Sequence, residues 1–142
     1  MRPLLRPALL ALWTTALVAI AANLVVVLSG TAANGELIVV DQQGMTLVVD
    51  ALPTIAASIV GALLAAVGTL IIVRVLPRRG ILVFVIAGAI VTLLSLFGTT
   101  AAVTATGVAT LIVMHLVTGT VVVVGNAVIH SRAKGNAAVS TR

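Results

Sequence analysis

The chain has 142 residues, 61% hydrophobic and 8% charged, with a net charge of +5 and a mean hydropathy of +1.33. A soluble domain carries about 25% charged residues, so the composition excludes one and places the chain in the membrane class. Cysteine is absent, which excludes thiolate catalysis, disulfide exchange and Cys-ligated zinc or iron–sulfur sites.

Arg2 and Arg6 open the chain, and an apolar stretch over about 7–29 follows. A signal peptide competes for this stretch, because Ala19-Ile20-Ala21 resembles a cleavage site, but its apolar run is longer than the 7–15 residues of a signal core. The expectation is an uncleaved first span, with Thr15, Ala19, Asn23 and Val26 on one face.

The connection that follows holds all three acids, Glu36, Asp41 and Asp50. Two β-branched runs, Leu37–Val40 and Met45–Val49, flank Asp41-Gln42-Gln43-Gly44, which predicts a hairpin over about 36–50. A lone hairpin is marginal in water, so it must rest on the helix ends or the membrane surface. It is expected to cap the bundle, with a partner-binding edge strand as the alternative.

Asp50 and Pro53 predict the start of a second span, about 53–76. Ala57, Gly61 and Ala65 repeat every four residues, with Gly68 beyond them. In lipid, small residues allow the close backbone approach that holds helices together. These four therefore predict a packing seam on the most buried helix, or a face for a second copy or another membrane protein. Pro77-Arg78-Arg79-Gly80 is a tight basic turn. The third span covers about 81–97, and Thr99 or Thr100 is expected to cap a fourth over about 101–129. The tail 131–142 is polar, and its end is expected to be disordered.

The expected fold is an all-α membrane protein, an antiparallel four-helix transmembrane bundle with a short extracytoplasmic hairpin between the first two helices. It forms one domain over 1–142. The basic residues sit at span ends rather than on a face, which argues against nucleic acid. They fall at the N-terminus, around the turn between spans two and three, and in the tail. The positive-inside rule then places both termini in the cytoplasm and the hairpin outside. Arginine outnumbers lysine seven to one, and Ala, Val, Gly and Thr are abundant. That bias points to a GC-rich bacterial genome, and the expected location is a bacterial cytoplasmic membrane.

His115 lies near the middle of the fourth span, where an ionisable group is a functional hypothesis by default. Its face carries Thr118 and Asn126. Asn23, Ser58, Thr69, Thr92 and Ser95 are candidate partners from the other spans. His115, Asn23, Thr118 and Asn126 make up the candidate buried polar site. A metal there is disfavoured, because His130 is four turns away and the span offers no carboxylate. No acid lies inside any predicted span and no phosphate loop or nucleophile elbow is present. The expectation is no enzyme and no cofactor.

From Leu94-Ser95-Leu96 through Gly98-Thr99-Thr100 to Ala109-Thr110-Leu111 and Met114-His115-Leu116-Val117-Thr118-Gly119, the sequence resembles a bacterial family of small four-span membrane proteins of unknown function. The resemblance covers nearly the whole chain, and its sharp motif is Met114-His115-Leu116. It implies the same layout and a designed role for His115, but no activity. The expected function is a non-enzymatic accessory, scaffold or envelope component, with a transporter or proton conductor using His115 as the rival.

Overall fold

A computed structural model describes residues 2–40 and 43–139. The order is α1 (Arg2–Asn34), β1 (Ile38–Val40), β2 (Thr46–Val48), α2 (Ala51–Val75), α3 (Gly80–Ser95), a 3₁₀ turn (Leu96–Ala101) and α4 (Ala105–Val139). Four apolar helical segments, Ala8–Ala33, Ala51–Val75, Gly80–Ala101 and Ala105–Arg132, are long enough to cross a membrane. Their outer faces carry large exposed apolar side chains such as Leu17, Leu64, Val91 and Val124. Such faces suit lipid, which supplies no hydrogen bonds, so helices satisfy their own backbones there.

Several boundaries differ from expectation. The first helix continues past Gly30 because Ala32 and Ala33 are good helix formers, and Gly35 stops it. Gly35 has a φ of +80°, a left-handed conformation open to glycine, and its N–H donates to the Thr31 carbonyl at 2.9 Å. The cap expected at Thr99 or Thr100 falls instead at Thr104, whose hydroxyl accepts from the Gly107 N–H at 3.0 Å. The polar tail is helical through Val139, because Ala, Arg and Lys let the fourth helix run on. Asp41, Gln42 and Ser140–Arg142 lie outside the described residues. The cap expected at Asp50 is present, with its carboxylate accepting from the Leu52 N–H at 2.9 Å.

The hairpin pairs Ile38 with Val48, Val39 with Leu47 and Val40 with Thr46. It rests on the bundle as expected. Leu37 and Val49 are buried against Val27, Leu111 and Met114. On its other side β1 meets the α3–α4 connection, where Val39 bridges Ala102 and the Val103 N–H donates to the Ile38 carbonyl at 3.1 Å.

α1 packs most extensively, against α4 and α2, and α3 packs least. The most buried helix is therefore α1, not the second span as expected. Its inner face runs through Ala11, Thr15, Ala19, Asn23 and Val27. Close approach is concentrated on α4. A Cβ at Gly125 would come within 2.5 Å of Thr15, and one at Gly119 would collide with Thr92.

The α2–α3 turn has no spare room. A Cβ at Gly80 would lie 2.7 Å from the Val73 Cα and 2.9 Å from the Ile72 carbonyl oxygen. Both are backbone atoms that cannot rotate away. Gly80→Ala should therefore destabilise the protein by about 1–3 kcal/mol, read as a lower unfolding midpoint in a detergent denaturation series. A midpoint equal to wild type would contradict this packing.

Candidate functional site

α3 lies close against α4 at Gly119, but α2 leaves a gap to both. Between them lies a groove of about 480 Å³, within the ~300–1,000 Å³ range of small-molecule sites. α2 lines it from Thr54 to Ile72, α3 from Phe84 to Ser95, and α4 from Met114 to Val123, while Asn23 of α1 closes the back. Ala57, Leu64 and Val91 line it yet are exposed, so the groove opens sideways between α2 and α3. Towards the basic turn its walls are apolar, with Phe84, Ile72 and Val123.

The polar groups collect in one layer. Asn23, Ser58, Thr92, His115 and Thr118 lie within about a turn and a half of the midpoints of their spans. Asn23 is 2% exposed. Its side-chain amide donates to Ser58 Oγ at 3.0 Å and to Thr118 Oγ1 at 2.6 Å. One side chain thus ties α1 to both α2 and α4. Its carbonyl oxygen Oδ1 is buried without a hydrogen-bond partner among the described residues.

His115 turns to its own helix. Nδ1 lies 2.8 Å from the Leu111 carbonyl oxygen. A carbonyl only accepts, so Nδ1 carries the hydrogen, and in the neutral imidazole Nε2 presents a lone pair. The side chain is half-buried and lines the groove. None of the candidate partners is hydrogen-bonded to it among the described residues. Asn23 shares its groove without bonding to it.

A second polar layer lies about 12 Å further along α4, from the eight residues between Thr118 and Asn126. Asn126, 0% exposed, donates from Nδ2 to the Val122 carbonyl at 2.9 Å, and its Oδ1 lies 3.5 Å from Thr69 Oγ1. His130 is buried beside it. Its Nδ1 donates to the Asn126 carbonyl at 3.0 Å, and its Nε2 has no partner among the described residues. In the sequence His130 stands near the end of the fourth span, about four turns from His115, and is not among the candidate site residues. Its place four residues after Asn126, on the same helical face, is the signal that would have found it.

Among the candidate site residues, the structure brings Asn23, His115 and Thr118 together and leaves Asn126 in the separate layer. Ala57, Gly61, Ala65 and Gly68 all line the groove. They do not form a tight seam within the chain. A Cβ at Gly68 would meet nothing within 4 Å, and one at Gly61 only the Thr118 methyl at 3.5 Å. The packed face of α2 lies one residue further round, through Thr54, Ser58, Ala62, Ala66, Thr69 and Val73. One residue is a rotation of about 100°, and both faces carry small side chains.

A family model described as a family of unknown function, DUF6069, matches residues 3–132. No curated protein and no solved structure matches the chain.

If the Asn23 amide links the helices as the distances imply, a double-mutant cycle of Asn23→Ala with Ser58→Ala should show coupling. The expected size is about 0.6 kcal/mol and not above about 1.7 kcal/mol, the range for interhelical hydrogen bonds in membranes. Unfolding in mixed detergent measures it. Strictly additive effects would remove Asn23 as a tie.

Proposed function

We propose a function for a chain that belongs to the DUF6069 family of unknown function and so inherits no activity: a non-enzymatic accessory protein that binds a membrane-soluble molecule in its groove. One observation carries this reading, the sideways-open groove with polar groups at one level and apolar walls below it. A molecule already dissolved in the bilayer reaches such a site without crossing water.

In this reading the protein sits in a bacterial cytoplasmic membrane. Arg6, Arg74, Arg78, Arg79 and Arg132 lie at the cytoplasmic end, with both termini, and Glu36 and Asp50 lie at the opposite end. The bilayer is the first partner. A second copy or another membrane protein would meet the open face of α2 or the exposed β2 strand.

The rival is proton or ion conduction through His115. The two polar layers stand about 12 Å apart, far beyond hydrogen-bond reach, and the groove wall between them is apolar. That spacing supports binding over conduction. In proteoliposomes, wild type and His115→Leu should both give proton and cation flux no greater than empty vesicles. Flux in wild type that vanishes in a folded His115→Leu would overturn the binding reading. For orientation, a cysteine at Gln43 in this cysteine-free chain should react with a membrane-impermeant maleimide added outside intact cells. Labelling only after the inner face is exposed would reverse the topology.

A further inference from the structure

The hydrogen-bonding state of the groove narrows the chemistry of its occupant. The Thr54 hydroxyl donates to the Asp50 carbonyl at 2.6 Å, and Ser58 donates to the Thr54 carbonyl at 2.8 Å. Thr92 donates to the Gly88 carbonyl at 2.8 Å, and Ser95 to the Thr92 carbonyl at 2.7 Å. Each hydroxyl has given its only proton to its own helix and keeps only lone pairs for a guest. His115 Nε2 is likewise an acceptor, and so is the buried, unpartnered Oδ1 of Asn23. Both protons of the Asn23 amide are already engaged. The Thr118 hydroxyl differs. It accepts from Asn23, and among the described residues nothing takes its proton. The polar layer therefore offers a cluster of acceptors and one donor, with His115 and Thr118 one helical turn apart on α4.

Charge narrows the choice again. No acid lies in any of the four spans, and no lysine or arginine lines the groove. A carboxylate, phosphate or ammonium would enter the membrane interior unpaired, at a large cost. A ketone or quinone oxygen, able only to accept, would take the one proton of Thr118 and leave the acceptors around it unmatched. A neutral hydroxyl fits, because it donates one hydrogen bond and accepts another.

The shape sets the rest of the molecule. From Thr54 to Ile72 the groove runs about 27 Å by helical rise, close to the ~30 Å thickness of the hydrocarbon core. That length suits an extended hydrocarbon chain.

We infer that the groove binds a neutral lipid alcohol, with its hydroxyl donating to His115 Nε2 and accepting from Thr118 Oγ1, and its chain running along Gly61, Ala65 and Gly68 towards Phe84. This rests on the groove-binding reading above and specifies its ligand.

The test compares three probes that share an eighteen-carbon chain: oleyl alcohol, oleyl methyl ether and oleate. Delipidated full-length protein is titrated with each and occupancy is read by native mass spectrometry. Oleyl alcohol should bind at least tenfold more tightly than either of the others. Gly68→Leu places a side chain into the open groove and replaces a helical glycine, so it should fold and should lose all three probes. His115→Leu should reduce alcohol binding at least fivefold and leave the ether unchanged, whereas Thr118→Val should weaken the alcohol and the ether alike. The wild-type ranking decides the matter even where a variant misfolds. Equal binding of the three probes, all lost in Gly68→Leu, would overturn hydroxyl recognition and leave the groove reading standing. Absence of binding, or binding that survives Gly68→Leu, would overturn the groove reading and this inference with it.

Discussion

Hydrocarbon offers a buried hydroxyl no partner, so each must find one within the protein. Here the solution is local. Thr15, Ser58, Thr69, Thr92 and Thr110 each hand the proton to the carbonyl four residues back. This satisfies the donors without helix-to-helix bonds and leaves the helices free to be positioned by shape. It also leaves lone pairs wherever those hydroxyls face open space. The acceptor-rich level of the groove follows from how single helices satisfy themselves in lipid. Asn23 departs from the pattern, since its two amide protons reach two other helices.

Shape then divides the bundle unequally. α4 lies close against α1 where Gly125 meets Thr15, and close against α3 where Gly119 meets Thr92. α2 turns its row of Thr54, Ser58, Ala62 and Ala66 to the packed interior and its neighbouring row of Ala57, Gly61 and Ala65 to the gap. With Gly80 fixing the turn between α2 and α3, these two helices stay joined at that end while a gap remains between them.

Much of the architecture is legible in the sequence. Four apolar stretches set the spans, because lipid demands about 20 apolar residues per crossing. The β-branched runs around Asp41–Gly44 set the hairpin, and Asp50 before Pro53 sets the start of α2. The site is legible only in part. The polar residue types in the spans mark out Asn23, His115 and Thr118, but each has several sterically equal partners, and only the packed helices choose among them. Gly61 and Gly68 illustrate the limit. A small residue marks equally a place where a helix comes close and a place where nothing does. His130 shows another, since nearness to a span's end says nothing of whether neighbouring helices cover it.

The strap formed by β1 joins parts of the chain that are far apart in sequence. Its one side pairs with β2, and its other side waits for Ala102 and Val103, some sixty residues later. During synthesis the first two helices and the hairpin emerge long before that partner exists. The hairpin end of the bundle cannot be sealed until the third helix has crossed and the chain has turned back into the fourth. The contact at this end of the bundle therefore depends on both halves of the chain, and the connection between the third and fourth helices completes it.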